Sequence, residues 1–173
     1  MFPVFTDPFS NSLVIILSSG VLALLTAAVF RILISMRSPG TEKMQHIANQ
    51  IRAGAMAFLR REYRVIGIFV VVVSALLYGL LDTGFANVQS GNWGVPTTSG
   101  SFVLGALCSV IAGFIGMRTA TVANVRTTQA ARTSLGPALR IAFLSGATMG
   151  LSVVGLGIIG LTGAMIYLIQ VMG

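Results

Sequence analysis

GTEKMQHIANQIRAGAMAFLRREY, residues Gly40 to Tyr63, lies between two long apolar runs, and its reading decides what kind of molecule this is. Pro39 and Gly40 disfavour continuation of the preceding helix, so the chain turns there. Thr41 then offers a side-chain cap, and Glu42 falls in the first turn, where the positive end of the helix dipole favours an anion. Met44 at the third helical position means that this is not a full capping box. From there Met44, Ile47, Ala48, Ile51, Ala55, Phe58 and Leu59 recur at helical spacing along one face, while Glu42, Gln45, His46, Asn49, Arg52 and Arg60 take the other. The stretch reads as an amphipathic helix. No proline interrupts Thr41 to Leu81, so it and the apolar run after it read as one continuous or gently bent rod.

The flanking runs set the class. Of 173 residues, 55% are hydrophobic and only 9% charged, with a mean hydropathy of +0.91, which is wrong for a soluble domain. Four segments, roughly Ser12 to Met36, Val65 to Leu81, Ser101 to Met117 and Ile141 to Met172, approach or exceed the ~17–25 apolar residues that a spanning helix needs. The second and third are short when cut at the nearest charge, so both helices are expected to run on into polar flanks. Span three continues with helical periodicity through Arg118 to Arg132, as a helix projecting from the membrane, until Gly136-Pro137 breaks it. The start, MFPVFTDPFSNS, has no basic n-region, so the first run is expected to remain as a span. Fold and domain expectation is therefore all-α: a polytopic membrane protein in which residues 1–173 form a single membrane domain, with a cytoplasmic amphipathic helix before the second of four spans.

Charge gives the orientation. The net charge is +7, and all 11 basic residues fall in two sets: Arg31, Arg37, Lys43, Arg52, Arg60, Arg61 and Arg64, then Arg118, Arg126, Arg132 and Arg140. The N-terminal tail and the loop after span two carry only Asp7 and Asp82. The positive-inside bias places both basic loops in the cytoplasm and both termini outside. The same charge suits anionic headgroups, whereas nucleic-acid binding lacks a basic soluble domain to carry it. The outer loop is rich in Gly, Ser, Thr and Asn, with Phe85 and Trp93 as interfacial anchors. Gly146, Gly150, Gly155, Gly157, Gly160 and Gly163, including the Gly146-x-x-x-Gly150 spacing, make span four a helix for close packing against neighbours.

Chemistry is scarce. No P-loop or HExxH occurs, and one Cys and one His cannot build a zinc cluster. His46 lies four residues after Glu42 on the polar face, the pattern of a solvated histidine with a helical neighbour. Glu42 and Glu62, the two acids of the basic loops, stand about 30 Å apart along one helix and cannot share a divalent ion. Spans two to four have no ionisable residue between their ends, the usual mark of a conduction path. Cys108 is a small packing residue in span three. On the extension of span three, Asn124, Arg126 and Arg132 are candidates for polar contacts, with topology marking and snorkelling as the simpler reading.

Two stretches carry a family resemblance. Gly40 to Tyr63, with its IxxGAxAFLxxEY core, and IGMRTATVANVRTTQAARTSLGPALRIAFLSGATMGLSVVGLGIIGL resemble the membrane-bound, ion-translocating pyrophosphatases, in the same order and with matching topology. The resemblance implies an enzyme of many transmembrane helices that hydrolyses cytoplasmic pyrophosphate with Mg2+, moves protons, or sodium in some members, across a bacterial inner or cell membrane, and works as a homodimer. It also implies that this segment supplies outer scaffold helices around an inner ring. The family's acidic DVGADLVGKVE-type signature and the GGG-containing run before it have no counterpart here, so no catalytic, cofactor-binding or metal-binding residue is carried over. The expectation is the N-terminal four-helix part of a pyrophosphate-energised proton pump, a fragment or truncated product that is inactive alone. The alternative is a catalytically inert four-helix scaffold or accessory subunit related to that family.

Overall fold

The computed structural model describes residues 8–83 and 97–172, with side chains placed from 11 to 83 and from 97 to 169. Phe85 and Trp93, the expected interfacial anchors, lie outside the described residues. Four long helices account for nearly all of what is described: α1 (Pro8–Ser35), α2 (Glu42–Leu77, closing in a π-turn over Tyr78–Asp82), α3 (Thr97–Ala131) and α4 (Leu135–Met172). All four contain a stretch long and apolar enough to cross a membrane.

The extension into polar flanks is large. With 36, 35 and 38 residues, α2, α3 and α4 are each more than ~50 Å long against a hydrocarbon core of about 30 Å. The Thr41 hydroxyl accepts from the Met44 N–H at 3.4 Å, so the helix starts where the cap signal put it. From that cap, α2 runs unbroken through Arg60–Arg64 into its apolar half. The rod is continuous.

The helices stand side by side in the order α1, α4, α3, α2, so α4 and α3 are central and α1 and α2 make no contact with each other among the described residues. This is an open row. Ile34 of α1, Ala123 of α3 and Ile141 of α4 form a small buried core at the end of the row that carries the basic residues. Elsewhere the seams are made by small side chains. Gly20 and Gly155 let α1 and α4 approach so closely that a Cβ on Gly155 would lie 2.9 Å from the Gly20 carbonyl oxygen. The buried hydroxyls of Thr148 and Ser152 bond back to the carbonyls of Leu144 and Thr148, each at 2.7 Å, so they enter the seam without an unmet polar group.

Two packing details differ from the spacing-based reading. Around Gly146 and Gly150 there is open space, so the close approaches of α4 use Gly155 and Gly160 instead. On α2 the side facing α3 is Met44, Ala48, Ala55, Leu59 and Tyr63, and Ile47, Ile51 and Phe58 flank it about half exposed. Apolar spacing alone marks a broad stripe; which edge is covered depends on the partner helix.

Candidate functional site

The residues with chemical potential gather at the two ends of the row. At one end, α2 unwinds by a π-turn, in which the Thr83 N–H bonds to the Tyr78 carbonyl at 2.9 Å. This brings Asp82, fully buried, under the first turn of α3. Its carboxylate accepts from the N–H groups of Thr98 and Ser99 at 3.0 Å each, and from the hydroxyls of Thr97 and Ser99. A carboxylate at a helix N-terminus satisfies donors that have no partner within the helix and sits at the favourable end of the dipole. Asp82 is thus a structural cap between segments.

Between the ends, the Tyr63 hydroxyl donates to the Val110 carbonyl of α3 at 2.9 Å, which turns the last residue of the Gly40 to Tyr63 stretch into a clasp between α2 and α3. Cys108 lies half-buried on α3 against α4, where a Cβ on Gly160 would meet its sulfur at 2.8 Å. It lines an apolar groove of about 880 Å³ between those helices. The Thr119 hydroxyl is buried with no hydrogen-bond partner among the described residues.

The opposite end is basic. Arg126 of α3 donates through Nε to the Arg37 carbonyl at 3.0 Å, through Nη2 to the Ser35 carbonyl at 3.3 Å and through Nη1 to the Val122 carbonyl at 2.9 Å. The first two bonds close the C-terminus of α1, whose last carbonyls have no partner in the helix. The connection to α2 is wound tightly: the Gly40 N–H donates to the Ser38 hydroxyl, Gln45 Nε2 donates to the Gly40 carbonyl at 2.9 Å, and Gly40 takes a φ of 82°. Gln129 packs onto this turn, its Oε1 buried and without a hydrogen-bond donor among the described residues. Beside the turn is a cavity of about 560 Å³ whose wall includes Arg37, Arg126 and Arg140.

Of the sequence candidates, Arg126 alone is built into this end by side-chain hydrogen bonds. Asn124 is exposed and lines a separate groove between α3 and the Met44–Ile51 part of α2. Arg132 is exposed, and so are Glu42, Glu62 and His46; the histidine's Nε2 lies 3.5 Å from Gln50 Nε2. Among the described residues no three His, Cys, Asp or Glu side chains come together as a metal site. What the arrangement can do is hold helices in register at both ends and present guanidinium groups at one of them.

The family comparison decides the affiliation. Residues 21–172 match the family model described as "Inorganic H+ pyrophosphatase". The chain belongs to the inorganic H+ pyrophosphatase family. It is 39% identical over 142 residues to a K(+)-insensitive pyrophosphate-energized proton pump of Methanosarcina mazei, covering 82% of this chain and 20% of that protein. It is 40% identical over 148 residues to K(+)-insensitive pyrophosphate-energized proton pump 2 of Moorella thermoacetica, covering 86% of this chain and 20% of the relative. With a K(+)-stimulated pyrophosphate-energized sodium pump of Thermotoga maritima it shares 41% over 139 residues, 78% of this chain and 17% of that protein. The chain thus spans about a fifth of the length of these H+ pyrophosphatase relatives, and the match begins in α1 and runs through α4. Integral membrane character follows from both the four apolar helices and the membrane pumps they match.

Proposed function

We propose that this chain is the N-terminal four-helix part of a pyrophosphate-energised ion pump and forms a single membrane domain of outer scaffold helices. The observation that carries the reading is the match over residues 21–172 to a pump family of which the chain covers only a fifth. An open row with exposed apolar faces suits a part that packs against further helices of the same protein. In this reading the remainder supplies the catalytic groups, binds Mg-pyrophosphate, and completes a homodimer. The coupling ion is then set outside this segment, since identity to proton-pump and sodium-pump relatives is nearly the same, 39% and 41%. The basic end of the row faces the cytoplasm and both termini of the segment lie on the other side, as the concentration of arginine at one end favours.

The alternative is a related but inert scaffold or accessory subunit, which would share the same four-helix row. Expression in membranes depleted of host pyrophosphatase separates the two readings. Magnesium-dependent pyrophosphate hydrolysis with ion uptake should be absent with the chain alone and restored when the C-terminal remainder of a family member is supplied in trans. Hydrolysis by the chain alone would overturn the assignment of catalysis to the remainder; no hydrolysis in either setting, with insertion confirmed, would favour the inert scaffold.

A further inference from the structure

The arginine-walled cavity between α1, α3 and α4 has no part in the scaffold reading, and its construction points to a ligand. Arg37 follows the last turn of α1, Arg126 comes from the far half of α3, and Arg140 from the second turn of α4. None of the three is ion-paired among the described residues. Arg52 on α2 adds like-charge repulsion to Arg126 rather than relief. Three guanidinium groups line one cavity with no carboxylate among its lining residues, so an anion entering it meets cations and no like charge. At about 560 Å³ the cavity falls within the ~300–1,000 Å³ of small-molecule sites.

The cavity is also amphipathic. Ser38 and Thr133 share its wall with the arginines, while Pro137, Ile141 and Leu144 make one apolar side along α4. It stands where the apolar run of α1 ends near Met36 and that of α4 begins near Ile141. Polar groups above and apolar groups below, at the end of two spans, match the profile of a phospholipid from headgroup to glycerol. We propose that this cavity binds a phosphate-bearing anion, with an anionic phospholipid headgroup as its source: guanidinium groups take the phosphate oxygens, and the α4 wall takes the first acyl methylenes.

This site is independent of pump activity and is tested without it. The full chain, extracted in mild detergent, is titrated with phosphatidylglycerol and separately with phosphatidylcholine, and bound lipid is counted by native mass spectrometry. A second arm adds inorganic phosphate to lipid-free protein and follows the thermal midpoint. Phosphatidylglycerol should be retained in preference to phosphatidylcholine. R37Q/R140Q, both at exposed side chains, should weaken that retention about twenty-five-fold, two arginines each contributing the factor of about five expected of one basic residue near an anionic surface. R60Q/R61Q, outside the cavity, should bind as the native chain does. If the double variant fails to insert, the single variants R37Q and R140Q carry the test at about five-fold each. A midpoint raised by phosphate but not by phosphatidylglycerol, and insensitive to phosphate in R37Q/R140Q, would keep the anion site and reassign its source to free phosphate. Equal retention by the native chain and R37Q/R140Q, or an equal loss in R60Q/R61Q, would overturn the proposal in favour of general surface charge.

Discussion

The Asp82 carboxylate takes both the main-chain N–H of Ser99, at 3.0 Å, and the Ser99 hydroxyl, which joins the end of α2 to the start of α3 across a gap of 17 positions. This join is fully buried, so its groups have no water to turn to when it is broken. Asp82→Ala should therefore destabilise the α2–α3 pair by about 1.5–3 kcal/mol, the range for losing hydrogen bonds to a charged group. The denaturation midpoint in detergent checks this, and Asp82→Asn should recover only part of the loss, because one amide oxygen replaces two carboxylate oxygens.

Tyr63→Phe keeps the ring and removes the donor to Val110. A loss of about 0.5–1.5 kcal/mol is expected. Tyr63→Ala should cost more than this by the packing it deletes, and a double-mutant comparison with Leu59→Ala, one turn earlier on the same covered face, measures how far the two act together.

Gly155→Ala places a methyl 2.9 Å from the Gly20 carbonyl oxygen, and backbone cannot move aside as a side chain can. Overpacking of this kind costs about 1–3 kcal/mol. Gly146→Ala meets nothing within 4 Å in the row, and the better helix propensity of alanine should leave its midpoint equal or slightly higher. Comparing the two variants tests whether the α1–α4 seam runs through Gly155.

Arg126→Gln leaves the carbonyls of Ser35 and Arg37 without the donor that closes α1. A loss of about 1.5–3 kcal/mol is expected, together with faster hydrogen exchange in residues 36–41, where the chain turns into α2. Arg126→Lys should recover only part of the protection, since an ammonium cannot reproduce the planar fork that reaches two carbonyls and its own helix at once.

Much of this was legible in the residues themselves. Apolar run length marked the four spans, and Pro39-Gly40-Thr41 with Glu42 located the turn and the cap, because these signals are local and act within a few residues. The roles of Asp82, Tyr63 and Arg126 were not legible, since each acts on a segment that spacing cannot bring near it: Thr98 and Ser99, Val110, and Ser35 with Arg37. Asp82 could be read only as a lone acid at the end of a span. The choice of Gly155 over Gly146 was likewise hidden, because every glycine in α4 permits close approach and only the partner helix selects among them.

The order of the row also sets a timetable for biosynthesis. α1 finds its partner in α4, whose first residue, Leu135, is made 100 residues after Ser35. At about 5–20 residues per second, some 5–20 s pass between the end of α1 and the start of that partner, an interval in which the Gly20 side of α1 is still uncovered by α4. The seam glycine of α1, Gly20, therefore meets lipid chains before it meets Gly155. α2 and α3, consecutive in the chain and adjacent in the row, need no such interval and can pair as soon as Asp82 has the first turn of α3 to hold.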